Sequence, residues 1–261
     1  MRIRLDECLV KKGLAKDLSL AQSFVMEGRV FLGQERLRLP SMPVEPDSAL
    51  WLKPENPYVS RGGLKLERAL EEFRIDLDGR VCMDIGSSTG GFTECMLKNG
   101  AKTVYSIDVG YGLLDWKLRQ DERVRVMERT NAKNLLPGMF PERASFASMD
   151  LSFISVKKVL PTALSCMPEE AALVVLVKPQ FEAPRGRVGK GGIVRERAVH
   201  EAVLSDILAF LPKAGLYALG LIPSPIKGMD GNTEFLLHAA RGVGLRYNDL
   251  NLQAILDFVW N

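Results

Sequence analysis

Two residues that could do chemistry stand at the ends of strand-like segments. Lys178 directly follows the apolar run 173–177, and Asp150 stands within "SMDLSF". The carboxyl ends of strands in an open α/β sheet face the crevice in which ligands bind, so both are candidates for a site. A lysine there can orient a substrate or stabilise a developing charge. For Lys178 taken alone, a surface lysine that buries its stem and keeps its amine in water is the favoured alternative.

The segment "MDIGSSTGGF" at residues 83–92 predicts a ligand-binding loop between a strand and a helix. Asp84 and Gly86 end the strand, and Gly90 with Gly91 opens the helix, where glycines let a ligand approach the backbone. The spacing matches neither the dinucleotide pattern nor the phosphate-binding P-loop, so a phosphate cradle is disfavoured. It fits the adenosylmethionine loop of class I methyltransferases better. A tight turn in an unrelated α/β protein is the alternative.

Asp108 ends the next strand, in "YSIDVG", where its carboxylate could accept hydrogen bonds from a ribose diol. The residues after Asp150, "LSF", lack the two prolines of the amino-group methyltransferase motif. The chain also has no Pro-Cys pair of the kind that methylates carbon 5 of cytosine. Methylation of a base is therefore the weaker interpretation.

Charge is concentrated in two basic segments rather than spread along the chain. The net charge is +3, residues 1–40 hold eight Lys/Arg against five Asp/Glu, and residues 183–197 hold five against one. Such patches suit a polyanion, with an ordinary solvated surface as an equally weighted alternative. The four cysteines and two histidines lack metal-ligand spacing, which predicts free, mostly buried thiols and no metal. We expect a cytoplasmic protein, because no signal peptide or membrane span is evident.

The pattern of apolar residues predicts two domains, 1–57 and 58–261. Residues 1–40 indicate two helices, the second capped by Ser19, and a hairpin around Gly33-Gln34. Residues 41–57, which are rich in proline, indicate a linker with one strand. From there strands alternate with helices, which is typical of an α/β fold with a doubly wound, mainly parallel sheet.

The sequence also resembles a known family. The chain is similar to the TlyA family of haemolysin-named ribosomal RNA methyltransferases, and its catalytic part resembles the FtsJ/RrmJ 2′-O-methyltransferases. The matching words are "YVSRGGLKL", "GSSTGGFTE", "DVGYG", "RTNAK", "DLSFIS", "LVKPQFE" and "KGMDGNTEF". The resemblance implies a class I Rossmann-like methyltransferase fold. The first 60 residues resemble the small α+β RNA-binding module, the α-L module, of a small-subunit ribosomal protein and pseudouridine synthases.

The resemblance implies site residues as well. The Lys-Asp-Lys-Glu tetrad of 2′-O-methyltransferases falls on Lys65, Asp150, Lys178 and Glu234. Residues expected to bind S-adenosylmethionine are Asp84, Gly86, Ser88, Gly90, Gly91, Phe92, Asp108, Asn131 and Asp150. Residues expected to contact RNA are Lys11, Lys12, Lys16, Arg29, Arg61, Arg185, Arg187 and Lys190. Lys178 is expected to orient a ribose hydroxyl and to take its proton or stabilise the alkoxide.

The expected activity is S-adenosylmethionine-dependent 2′-O-methylation of ribosomal RNA, at a cytidine, with ribosomal RNA or subunits as partner and no membrane or metal. Two alternatives to this activity stay open. A ribosome-assembly factor that binds RNA without catalysis would not need all four tetrad residues. A membrane-active haemolysin would need a span or an exposed amphipathic segment, and the amphipathic stretch 195–214 is explained as cover for the sheet.

Overall fold

The structure is a computed structural model that describes residues 2–228, 231–242 and 250–260. The chain divides into two compact units, residues 1–57 and 58–261. Part of the word "KGMDGNTEF", residues 229–230, lies outside the described residues.

The N-terminal unit packs two helices and short strands around a small apolar core. Its elements are β1 (Ile3–Arg4), α1 (Leu5–Lys11), α2 (Leu18–Met26), β2 (Val30–Leu32), β3 (Glu35–Arg36), β4 (Pro43–Val44) and β5 (Leu50–Leu52). β1 pairs with β4, and β3, β2 and β5 form an antiparallel sheet. Leu5 and Leu9 of α1 meet Ala21 and Val25 of α2 in this core.

The start of α2 differs from the prediction. Asp17, not Ser19, is the N-cap: its side chain accepts a hydrogen bond of 2.8 Å from the backbone N–H of Leu20. Both residue types are good caps, and the aspartate stands nearer the turn that follows α1, so the helix begins there.

The C-terminal unit is built on one seven-stranded sheet. Its strands are β6 (Val81–Ile85), β7 (Thr103–Ile107), β8 (Val124–Met127), β9 (Phe146–Met149), β10 (Ala171–Val177), β11 (Tyr217–Pro223) and β12 (Phe235–Arg241). Its helices are α3 (Gly62–Phe73), α4 (Gly91–Lys98), α5 (Trp116–Gln120), α6 (Leu160–Ser165), α7 (Pro179–Glu182), α8 (Arg197–Phe210) and α9 (Leu252–Trp260). The sequence pattern missed α9, although its Leu256 is fully buried.

The sheet is covered on both faces, which confirms the predicted α/β class. Along β10, Val174 and Leu176 join the core formed with α3 and α4, whereas Leu173, Val175 and Val177 join the core formed with α6 and α8. Successive side chains of a strand point to opposite faces, so a continuous apolar run is what a sheet buried on both sides requires.

The antiparallel direction of β12 places Glu234 at the same edge of the sheet as Lys178 and Asp150. The strand order is β11-β12-β10-β9-β6-β7-β8, with β12 antiparallel to both neighbours and the strands from β10 to β8 parallel. Val177 at the end of β10 pairs with Phe235 at the start of β12. Lys178 and Glu234 therefore lie side by side at the edge where β9 delivers Asp150.

In the N-terminal unit, buried Asp6 should make stability depend on acid pH. Its carboxylate lies 2.7 Å from Arg4 Nη2 and accepts a hydrogen bond from Gln22, and the Arg4 bond lowers the Asp6 pKa to about 2. The stabilisation is present above the ordinary pKa near 3.8 and is lost as pH falls toward 2. We expect Asp6→Asn to lower the free energy of unfolding by about 1–2 kcal/mol at pH 7.

Urea unfolding at pH 7 and at pH 2.5, followed by circular dichroism, measures this effect. Glu35→Gln, at an exposed position of β3, is the matched control and should change nothing. A loss from Asp6→Asn that is as large at the acid pH as at pH 7 would contradict the assignment.

Candidate active site

Two amines and two carboxylates form two ion pairs at the carboxyl edge of the sheet, and all of these side chains but that of Asp150 are buried. Lys65 Nζ lies 2.6 Å from Glu234 Oε2, and Lys178 Nζ lies 2.5 Å from Asp150 Oδ1. The side chains of both lysines are 10% exposed and that of Glu234 is 3% exposed. A charge so removed from water needs a partner, and each of these charges has one.

Each member of the two pairs is fixed by a different element. Lys65 stands in the first turns of α3, Glu234 precedes β12, and Asp150 and Lys178 follow β9 and β10. Pro179, the first residue of α7, turns the chain away directly behind Lys178. Four separate elements thus hold the four side chains, which limits their movement relative to one another.

Ser152 is a polar neighbour that the sequence analysis did not single out. Lys178 Nζ donates a hydrogen bond of 3.1 Å to Ser152 Oγ, while Asp150 Oδ1 accepts no well-directed hydrogen bond from the amine beside it. The contact between Lys178 and Asp150 is therefore mainly an attraction of charges. Ser152 stands two residues after Asp150 in "DLSF", and this closeness in sequence is the feature that could have marked it as a site residue.

The four side chains open into one cavity of about 520 Å³. Its wall also includes the glycine-rich loop and the start of α3, represented by Gly86, Ser88, Gly91, Phe92 and Arg61. The volume lies within the range of small-molecule sites. A cavity with buried amines on one side and a glycine loop on the other can hold a small cofactor next to a polar substrate.

A neighbouring cavity of about 300 Å³ extends along the sheet edge toward β7. Asp108 and Asn131 line it, and Gly86, Ser88 and Asp150 belong to the walls of both cavities. Because the walls are shared, an elongated ligand could occupy both, with its middle over the glycine loop.

Backbone geometry explains the composition of this loop. Gly86 has φ +89°, and a Cβ on it would lie 2.4 Å from the backbone oxygen of Asp150, so only glycine fits. The backbone N–H groups of Ser88 and Gly110 donate to Asp108 Oδ2 and Oδ1, at 2.8 and 2.7 Å. Each carboxylate oxygen keeps a further lone pair, so Asp108 can still accept hydrogen bonds from a ligand.

A family model described as FtsJ-like methyltransferase matches residues 58–241, and an S4 domain model matches residues 3–50. The chain belongs to the FtsJ-like methyltransferase family. YqxC of Bacillus subtilis is 50% identical over 238 residues, which are 90% of this chain and 84% of YqxC. TlyA of Mycobacterium tuberculosis, named as a 16S/23S rRNA (cytidine-2′-O)-methyltransferase, is 41% identical over 90% of this chain and 89% of its own.

A solved structure is similar to this chain over nearly its whole length. A Streptococcus thermophilus protein that carries the hemolysin name superposes with a TM-score of 0.78 at 43% identity, over 99% of this chain and 96% of that one. The predicted resemblance to the TlyA and FtsJ families is confirmed. Within the described residues no helix has the length and apolar character needed to cross a membrane.

Two of the residues expected to bind S-adenosylmethionine lie beneath the glycine loop and outside the walls of both cavities. Asp84 is fully buried and lines neither cavity, and its carboxyl group accepts hydrogen bonds from Thr93 Oγ1 at 2.7 Å and Ser148 Oγ at 3.2 Å. Gly90 also lines neither cavity, and a Cβ on it would meet Leu118 at 2.3 Å. Both residues support the loop from below rather than forming the cavity wall.

The basic segment of the methyltransferase domain is anchored to the site. Asn232, 3% exposed, accepts a hydrogen bond from the backbone N–H of Val194 and donates one to the carbonyl of Gly192, both at 3.0 Å. Arg185, Arg187 and Lys190 are exposed on this segment, and Arg187 pairs with Glu196 at 3.2 Å. Arg61, expected to contact RNA, lines the larger cavity beside Lys65.

In the S4 domain, the basic residues expected to contact RNA differ in exposure and in their ion pairs. Lys11, Lys12 and Lys16 are exposed. The side chain of Arg29 is only 18% exposed, and its guanidinium approaches Glu27 at 3.2 Å and Glu55 at 3.5 Å. Its charge is therefore compensated within the domain, which a linear sequence does not reveal.

The buried Asp84 gives a prediction for stability at neutral pH. Burial raises its pKa to about 7, against the hydrogen bonds from Thr93 and Ser148, which lower it. Below pH 3.8, the ordinary pKa of this carboxyl group, Asp84 is protonated in both the folded and the unfolded protein. As the pH rises from there through 7, the unfolded chain releases this proton before the folded protein does, so the free energy of unfolding falls. We therefore compare the free energies of unfolding of Asp84→Asn and the wild type. The variant's value minus the wild-type value should increase by at least about 1 kcal/mol as the pH is raised from about 4 to about 8.

Chemical denaturation of both proteins at several pH values provides the measurement. Glu122→Gln, at an exposed position, is the control and should run parallel to the wild type. A difference between Asp84→Asn and the wild type that stays constant from pH 4 to pH 8 would show that Asp84 is ionised throughout.

Proposed function

We propose that this protein methylates a ribose 2′-hydroxyl of ribosomal RNA, at a cytidine, with S-adenosylmethionine as the methyl donor. The observation that supports the proposal most strongly is the pairing of Lys65 with Glu234 and of Lys178 with Asp150 around one cavity beside the glycine loop. Membership of the FtsJ-like methyltransferase family supports the reaction class. The name of the Mycobacterium tuberculosis relative supports the nucleoside and the RNA.

The two cavities suit the parts of S-adenosylmethionine. Asp108 has free lone pairs for the ribose hydroxyls, and Asn131 lines the same cavity for the adenine. Gly86, Ser88, Gly91 and Phe92 line the route toward Asp150, where the methionine part and the methyl group belong. When bound, the cofactor supplies an electrophilic methyl on a sulfonium, which is a good leaving group.

The chain's own groups then address the weak step, the nucleophilicity of a ribose hydroxyl. Lys178 orients the 2′-oxygen and stabilises the negative charge that develops on it, and the hydroxyl proton passes through the Lys178 amine to the Asp150 carboxylate paired with that amine. Asp150 and Ser152 fix the position of the Lys178 amine. The pair of Lys65 and Glu234 completes the polar frame and holds the ribose for in-line attack, and such positioning supplies a large part of the rate.

The RNA partner is supported by the S4 domain and the distribution of basic residues. Lys11, Lys12 and Lys16 on that domain, and Arg185 and Lys190 on the basic segment of the catalytic unit, are exposed cations. Contacts of this type bind the phosphate backbone, so affinity for RNA should fall as salt rises. Arg61 lines the catalytic cavity and would meet a phosphate next to the target ribose. A cytoplasmic location follows from a ribosomal substrate and stays a prediction.

Substitution of Lys178 tests the catalytic part of the proposal. We expect Lys178→Ala to lower methyl transfer at least about 100-fold, because the amine that orients and stabilises the oxygen is lost. Affinity for S-adenosylmethionine should stay within about threefold, since the cofactor contacts lie on the glycine loop and Asp108. Transfer of labelled methyl groups to ribosomal RNA and subunits, together with calorimetric titration of the cofactor, measures both effects.

Lys102→Ala is the matched control, because Lys102 is an exposed lysine of the same unit that pairs with Glu142. It should methylate like the wild type. Normal transfer by Lys178→Ala would overturn the mechanism. Cofactor-dependent binding of RNA without any transfer by the wild type would favour the assembly factor, and lysis of vesicles without S-adenosylmethionine would favour the haemolysin.

Asp108 provides an independent test of the cofactor site. Asp108→Ala removes the acceptor for the ribose hydroxyls and the two backbone hydrogen bonds that shape the loop. We expect affinity for S-adenosylmethionine to fall about tenfold or more. Titration of S-adenosylmethionine and S-adenosylhomocysteine should show the same loss for both ligands, because they share the ribose.

Asp206→Ala, at an exposed residue that pairs with Lys157, is the control for removal of a carboxylate from this unit. Unchanged cofactor affinity in Asp108→Ala would place the ribose elsewhere.

A further inference from the structure

We propose that a second RNA-contact surface lies on the three-stranded sheet of the N-terminal unit. It consists of Trp51, Phe31 and Arg36, called here the Trp51 row, with Lys53 beside it. The row would stack an unpaired RNA base on Trp51 and hold the neighbouring phosphates with the two cations. This inference rests on the proposed function for the identity of the RNA, and none of the residues expected from the sequence to contact RNA belongs to the row.

Strand register places the row on one face of the sheet. Phe31 of β2 pairs directly with Arg36 of β3 on one side and with Trp51 of β5 on the other. Directly opposite residues of antiparallel strands project from the same face. Lys53 follows two residues after Trp51, and its backbone N–H bonds to the carbonyl of Arg29, which continues the ladder beyond β5 and keeps Lys53 on that face.

The aromatic part of the row is fixed in position and open to solvent. The rings of Phe31 and Trp51 stack with centroids 4.9 Å apart at 22°. The indole Nε1 of Trp51 donates a hydrogen bond of 2.9 Å to the carbonyl of Gly33. Trp51 is nevertheless 43% exposed. A large aromatic held by a stack and a hydrogen bond, yet open on the remaining side, loses little entropy when a planar ligand stacks on it.

The cations of this surface are uncompensated. Arg36 and Lys53 are exposed, and neither forms an ion pair with any residue that the structure describes. The guanidinium of Arg36 lies against Gly28, where a Cβ would come within 1.7 Å of Nη2. Glycine at that position therefore gives the guanidinium room against the end of α2. By contrast, Arg29 on the same face is compensated by Glu27 and Glu55.

The combination of an open aromatic ring and free cations is the chemistry of single-strand recognition. Bases of single-stranded RNA stack on aromatic side chains while basic residues follow the phosphates. A carboxylate-rich protein partner would use the cations but would leave the indole face without a planar group. A bilayer surface would require an apolar patch, and here the aromatic pair is flanked by polar side chains. The chemistry of the row therefore favours an unpaired stretch of RNA.

Binding of a short fluorescent single-stranded oligoribonucleotide, and of ribosomal RNA, by the full chain tests the inference. We expect Trp51→Ala to weaken affinity at least about fivefold, whereas Trp51→Phe, which keeps an aromatic face, should lose less than about threefold. Arg36→Ala should lower the dependence of log affinity on log salt by about one. In methyl-transfer assays Trp51→Ala should raise KM for the RNA and leave kcat unchanged.

Met26→Ala, which removes a 73% exposed apolar side chain of the same unit, is the matched control. It should bind RNA like the wild type. Affinity of Trp51→Ala within about twofold of the wild type would overturn the inference, as would equal losses in Trp51→Ala, Trp51→Phe and Met26→Ala. Absence of methyl transfer by the wild type would instead refute the proposed function, so the two failures are distinguishable.

Discussion

Two buried amines, each facing a carboxylate, impose the central constraint on this protein. Burying either lysine without its partner would leave an uncompensated charge, which costs several kcal/mol in a protein interior. The fold meets this constraint by bringing four chain segments to one edge of the sheet, and β12 makes that possible. Because β12 runs antiparallel to β10, its first residues meet the last residues of β10, and Glu234 joins Lys178 and Asp150 at the cavity.

The same edge separates two kinds of polar group. Lys65, Lys178 and Glu234 line the cavity, so their charges are available to a substrate although little of each side chain meets water. Asp84 lies below the loop, where burial favours its neutral form and hydroxyl groups satisfy its oxygens.

RNA recognition in this protein would be divided between charge and shape. The exposed side chains of Lys11, Lys12 and Lys16, together with the basic segment anchored by Asn232, would offer phosphate contacts that do not depend on sequence. The Trp51 row offers a planar face, which selects unpaired bases over duplex. Together they would favour RNA that contains a single-stranded stretch.

The sequence alone determined the main elements and the class of site. The unbroken apolar run before Lys178 indicated a strand buried on both faces, and the glycine spacing of the loop disfavoured a phosphate cradle. The resemblance to a known family then implied the tetrad. Tertiary structure decided which side chains meet. Neither the support of Lys178 by Ser152, nor the compensation of Arg29 by Glu27 and Glu55, nor the alignment of Arg36, Phe31 and Trp51 follows from the sequence. These contacts depend on strand register and on the path of loops, which local propensity does not encode, because a shift of one residue moves every side chain to the other face.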